Sequence, residues 1–182
     1  AHDITLHHIT SHHITQTKPL QPLFETMAAV ARHVTGSELA SSKAEERPTG
    51  SVLCFLPGWE EIKALSNVLA RESGPLGARM HVLPLHSSLT YEEQQAVFEP
   101  APPGTRKVVL ATNIAETSLT INGIRYVVDT GLTKRRVYHP RSGVDELVVA
   151  PVAVSQATQR AGRAGREGPG KCFRLYLSLI HI

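Results

Sequence analysis

Apolar positions recur along this chain in two alternating rhythms. Ser51–Leu56 is a continuous apolar strand, and Glu60–Ala70 follows with Ile62, Leu65 and Leu69 on one helical face. Met80–Leu85 is the next apolar stretch. Thr90 and Glu93 have the spacing of a capping box, which opens a helix running to Phe98. Lys107–Ala111 and Ile124–Asp129 are two further apolar runs. Strands that are apolar throughout, separated by helix-period segments, predict a mostly parallel sheet covered on both faces. That is a doubly wound α/β domain. Ligands of such sheets gather at the carboxyl ends of the strands, which points to Pro57–Gly58, His86–Ser88, Thr112–Thr120 and Thr130–Gly131.

Two regions depart from this rhythm. Leu132–Tyr138 and Val144–Val149 flank the turn residues Pro140 and Gly143 and read as a protruding antiparallel hairpin, its first arm carrying Lys134, Arg135 and Arg136. Such a hairpin is either a clamp for nucleic acid or an edge hairpin whose basic residues discourage edge pairing. At the N-terminus, AHDIT, LHHIT and SHHIT repeat a pentad, and Ile4, Ile9 and Ile14 recur at a period that suits neither helix nor strand. Five of the ten histidines fall here, with no Cys or carboxylate pattern to complete a metal shell. Residues 1–17 are therefore expected to be a low-complexity His-rich tail without a physiological metal site. Pro19–Val34 reads as a helix with Leu20, Leu23, Phe24, Met27 and Val30 on one stripe, and Thr35–Gly50 as a polar linker. The expected organisation is tail 1–17, helix and linker 18–50, α/β domain 51–176 and an atypical tail 177–182.

The chain has 182 residues, 41% apolar and 19% charged, enough to bury the core of one domain. Two cysteines exclude a disulfide-rich scaffold. No apolar run approaches the ~20 residues that cross a bilayer, and no apolar segment near the N-terminus suggests secretion. Ala rather than Met at position 1 is expected of a fragment or a processed product. Charge changes the picture more. Residues 1–103 carry 7 basic and 11 acidic side chains, a net of −4, whereas 104–182 carry 12 and 5, a net of +7. Positive charge gathered in one half fits either a polyanion partner or a solvated basic face.

The most informative stretch is Gln159-Arg-Ala-Gly-Arg-Ala-Gly-Arg166. With Ser155 or Thr158 as cap, a helix would put Gln159, Arg163 and Arg166 on one face. Two guanidiniums a turn apart can hold a phosphoryl group that gains charge in a transition state. Gly162 and Gly165 each cost a helix roughly 1 kcal/mol relative to Ala, which makes sense where another surface approaches closely. Two further patterns fail on inspection. Gly165–Lys171 has phosphate-loop spacing, but Cys172 replaces the hydroxyl residue and the segment leads from helix to strand. Asp145 and Glu146 precede an apolar run instead of ending one. The chain carries arginines suited to phosphoryl transfer without the residues that bind a magnesium nucleotide. It reads as half of an active site.

The order of Phe55-Leu-Pro-Gly-Trp-Glu-Glu-Ile62, Pro84-Leu-His-Ser-Ser-Leu89, Ala111-Thr-Asn-Ile-Ala-Glu-Thr-Ser-Leu-Thr120 and Gln159–Arg166 resembles the second RecA-like domain of DEAH-box (DEAH/RHA) RNA helicases of superfamily 2. The resemblance covers about Ser51 to Tyr176. It implies ATP or another NTP with Mg2+, held mainly by a preceding RecA-like domain. Arg163 and Arg166 match the arginine fingers and Gln159 the γ-phosphate glutamine. Phe98 looks like the base-stacking aromatic, and Ser118, Thr120 and Asn122 match nucleotide-contacting positions, Asn122 in place of a more common Asp. Gly58, Ser87 and Thr112 match positions that hold RNA phosphates, and Lys134, Arg135 and Arg136 lie on what would be the strand-separating hairpin. Trp59 stands where Gln or Glu is common. Implied partners are single-stranded or duplex RNA, the first RecA-like domain, C-terminal helical domains and a G-patch-type activator. The implied setting is intracellular, nuclear or cytoplasmic. A DNA-directed superfamily 2 translocase and a non-catalytic scaffold derived from the same fold stay open at this point.

Overall fold

The computed structural model describes residues 4–8, 21–39, 50–71, 79–117 and 119–176. The elements run β1 (Ile4–His8), α1 (Gln21–Leu39), β2 (Ser51–Phe55), α2 (Trp59–Arg71), β3 (Met80–Leu85), α3 (Tyr91–Gln95), β4 (Arg106–Ala111), α4 (Ile114–Thr117), β5 (Ile124–Asp129), β6 (Leu132–His139), β7 (Val144–Pro151), α5 (Val154–Gly162) and β8 (Gly170–Arg174). Six strands form one sheet in the order β1-β8-β5-β2-β4-β3, every neighbouring pair parallel. Strands β6 and β7 pair antiparallel as a separate hairpin, Leu132 opposite Pro151 and His139 opposite Val144. No described helix is long and apolar enough to cross a membrane.

The apolar runs are two-sided, as a sheet covered on both faces requires. Along β2, Val52, Cys54 and Leu56 join Val108, Leu110 and Val128 beneath α1 and α2, where Met27, Val34, Ile62 and Leu65 complete one cluster. Leu53 and Phe55 turn the other way and join Val109, Ala111, Val127 and Cys172 beneath Val97, Ala115, Ala161 and Ala164. A continuous apolar strand thus supplies both cores by simple alternation.

Four local expectations are corrected. Ile4–His8 is an edge strand, paired in register from Ile4 opposite Gly170 to His8 opposite Arg174. Backbone hydrogen bonds hold such a strand, so a five-residue side-chain period does not forbid it. Helix α1 continues to Leu39, through Thr35, which is buried and donates its hydroxyl to the Ala31 carbonyl at 2.7 Å. Helix α3 has the expected capping box, with Thr90 N donating to Glu93 Oε2 at 2.8 Å and Glu93 N to Thr90 Oγ1 at 3.3 Å. It ends at Gln95, however, and Phe98 lies in the turn that follows. The Phe98 N–H donates to the Gln95 carbonyl at 2.9 Å, a tighter turn in place of the helical bond, and Pro100 then keeps Glu99 out of helical backbone. Finally α5 is entered from Ala153, whose N–H donates to Gln156 Oε1 at 3.1 Å, and not from a Ser155 or Thr158 cap. Leu20, most of the 35–50 linker and the 177–182 tail lie outside the described residues.

Candidate functional site

Helix α5 ends at Gly162 with Arg163 as its C-cap, so the face that Gln159 and Arg163 share does not extend to Arg166. The arginines meet instead on the connection between β4 and β5. That connection leaves the carboxyl end of β4 at Thr112, crosses α4 and returns through Asn122 and Gly123 to the start of β5. Arg163 Nη1 donates to the Leu119 carbonyl at 2.9 Å, and Arg166 Nη1 to Thr120 Oγ1 at 2.6 Å. Both line a small recess with Leu53, Ala115, Leu119, Ile121 and Ile124. Arg163 is buried and Arg166 exposed. Neither forms an ion pair with a described residue. Burial first, then the charge of Arg166, lowers the Arg163 pKa, with Glu116 opposing, yet a guanidinium keeps its proton at neutral pH. Two close positive charges without a carboxylate between them suit an anion that carries more than one negative charge.

Arg160, in the same motif, does the opposite, and nothing in the motif itself marks it out. It is fully buried, with Nε donating to Glu116 Oε1 at 2.7 Å and Nη1 to Asp129 Oδ1 at 2.8 Å and to the Leu132 carbonyl at 3.1 Å. Its guanidinium lies 4.8 Å from the Phe55 ring centroid. Asp129 also accepts from Gly131 N at 2.9 Å and Tyr176 Oη at 2.7 Å, and burial beside Asp129 raises the Tyr176 pKa. Glu116 accepts from Gln156 Nε2 at 3.3 Å. This network ties α5, the β4–β5 connection, the end of β5 and the root of the hairpin to one side chain. The available sequence signal is Asp129, a carboxylate closing an apolar strand, which has to be paired where it is buried.

The remaining site residues divide by place. Gln159 is exposed, its side chain without a hydrogen-bond partner among the described residues, and Asn122 is exposed in the turn before β5. Gly123 N, next to Asn122, donates to Glu167 Oε2 at 2.8 Å, which binds this turn to the segment after Arg166. Phe98 is exposed; its neighbour Val97 packs with Ala115, Ile121 and Ala164, so Phe98 shares the arginines' sheet face without lining their recess. Ser118 lies outside the described residues.

Gly58, Ser87 and Thr112 lie three, two and one residues beyond the ends of β2, β3 and β4, at the carboxyl rim. Thr112 is fixed by its N–H, which donates to the Leu85 carbonyl at 3.1 Å. A side chain at Gly58 would stand 2.5 Å from Lys134 Nζ. Lys134 is the half-buried member of the hairpin's basic group and pairs with Glu61 at 3.1 Å. Arg135 and Arg136 are exposed, with Arg136 3.8 Å from Asp145 across the hairpin.

With this geometry in view, similarity to known proteins is informative. The family model Helicase conserved C-terminal domain matches residues 32–168. The chain belongs to the helicase C-terminal domain family. Over 130 residues it is 55% identical to the pre-mRNA-splicing factor ATP-dependent RNA helicase prp22 of Schizosaccharomyces pombe, covering 70% of this chain and 11% of that protein. Two crystal structures from Escherichia coli, described as the DExH-box NTPase HrpB and the DEAH/RHA helicase HrpB, superpose with TM-scores of 0.74 and 0.75 at 34% and 35% identity. Each covers 96% of this chain, which spans 19% and 20% of theirs. This helicase domain is therefore a DEAH-box, RecA-like unit of superfamily 2, and it spans about a tenth to a fifth of the relatives it matches.

Proposed function

We propose that this helicase domain is the second RecA-like half of an ATP-dependent RNA helicase, in which NTP hydrolysis drives movement 3′ to 5′ on single-stranded RNA. The observation that carries this reading is the contrast within one motif. Arg160 is neutralised by Glu116 and Asp129, while Arg163 and Arg166 stand together on the Leu119–Thr120 segment with no carboxylate paired to them. A γ-phosphoryl group presented by a preceding RecA-like domain would meet two guanidiniums there, and its growing charge in the transition state would be stabilised by both. Gln159, Thr120, Asn122, Ser118 and Phe98 are the further nucleotide contacts of this reading. Magnesium and most of the triphosphate fall to the other half, since the buried carboxylates Glu116 and Asp129 are committed to Arg160.

Gly58, Ser87 and Thr112 would hold RNA phosphates at the carboxyl rim, contacts that position without reading sequence. Arg135 and Arg136 add charge along the hairpin, while Lys134, paired with Glu61, holds its root beside Gly58. C-terminal helical domains would complete the enzyme, and a G-patch-type protein is a candidate activator. Alone, this domain should release no phosphate from ATP with or without RNA, whereas the full-length protein should show RNA-stimulated turnover and unwind RNA duplexes in preference to DNA duplexes. RNA-stimulated turnover by the 182 residues themselves, or equal unwinding of DNA, would refute the assignment.

A further inference from the structure

We infer that Trp59 is a stacking platform for one nucleobase of the bound single strand, an aromatic contact placed among sites that otherwise touch only phosphate. The inference rests on the RNA reading above and extends it to the base. Trp59 opens α2 directly after Gly58 and is 48% exposed. Its ring is braced, not loose: the His86 ring lies 5.6 Å away at 51°, and Lys63 Nζ stands 5.2 Å from the indole centroid. His86 is buried and immediately precedes Ser87. Strand β4 separates β2 from β3 in the sheet, so Trp59 and His86 reach toward each other over the end of β4, where Thr112 sits. The indole therefore lies between the loops that carry Gly58 and Ser87, two of the three candidate phosphate-holding residues.

A nucleotide whose phosphate rests on that rim carries its base within reach of the indole. Stacking on an aromatic tolerates any base, as a sequence-independent translocase requires. The surroundings favour a base over a protein partner. Over the first two turns of α2 the exposed neighbours of Trp59 are Glu60, Lys63 and Asn67, all polar, so its own helix builds no apolar patch around the indole. Lys63 lends the site positive charge beside the ring.

Trp59 is the single tryptophan of the chain, so its emission reports this position directly. The chain is titrated with a short oligoadenylate and with an abasic ribose-phosphate oligomer of the same length, following both indole emission and the anisotropy of a dye on the oligomer. Oligoadenylate should quench the emission and the abasic oligomer should bind without quenching. Trp59→Ala should weaken oligoadenylate binding about tenfold, within the range known for removal of one stacked base, leave abasic binding unchanged, and be largely rescued by Trp59→Phe. Oligoadenylate binding with unaltered emission, or a Trp59→Ala variant that binds like the parent, would overturn the stacking role, leave the phosphate contacts standing and hand the indole to a protein contact. No anisotropy change with either oligomer would overturn the RNA reading itself, and the stacking role with it.

Discussion

Arg160 and Arg166 belong to one motif but answer to different physics. Arg160 is fully buried between Glu116 and Asp129. Removing one partner of such a group leaves uncompensated buried charge, which costs about 3–5 kcal/mol. Arg160→Ala should therefore lower the urea-unfolding free energy of the chain by about that amount. Arg166 is exposed and donates only to Thr120. Arg166→Ala should leave unfolding within about 0.5 kcal/mol of the parent, while the RNA-stimulated ATP hydrolysis of the full-length protein falls on the order of 10³-fold or more. Equal destabilisation of the two variants would remove the distinction on which the proposed phosphate site rests. Which of three arginines faces inward was not legible in Gln159–Arg166, because that depends on where Glu116 and Asp129 arrive from other elements.

Elements show the same division between local and distant causes. The alternation of apolar strands and helical stripes is a local property, and every strand read from it between Ser51 and Asp129 is present within a residue at either end. Helix ends were less legible. The expected face shared by Gln159, Arg163 and Arg166 assumed a helix that continued, and α5 stops at Gly162. The hairpin was legible from its turn residues and arms, but its charges are not equivalent. Lys134 is tied to Glu61 at the root of the hairpin, whereas Arg135 and Arg136 project from it. If the hairpin tracks a strand, replacing Arg135 and Arg136 with Ala should flatten the plot of log binding constant against log salt by about 0.7 for each phosphate left without its arginine. Lys134→Ala should instead loosen the hairpin root with little change in that slope. Titrations of RNA binding at a series of salt concentrations check both.

At the scale of the whole molecule, the two-sided core makes the buried thiols reporters of the fold. Burial raises the pKa of Cys54, beneath α1 and α2, and of Cys172, on the opposite face, from 9.0 to about 12. In the unfolded chain the thiols ionise first, so their contribution to stability is present below pH 9 and is lost as pH rises toward about 12. Neither thiol should react with iodoacetamide in the native protein at pH 8, and both should react in urea. Rapid native alkylation would contradict the packing of both faces. Periodicity and turn residues were enough to specify a two-sided parallel sheet with a basic hairpin, because each is written in neighbouring residues. Folding alone decided the partners: that Arg160 is spent on Glu116 and Asp129, that Arg163 and Arg166 meet Leu119 and Thr120, that Ile4–His8 joins β8, and that Trp59 reaches His86. Those pairs lie far apart along the chain, and only the crossing of strands and helices brings them within hydrogen-bonding or packing distance.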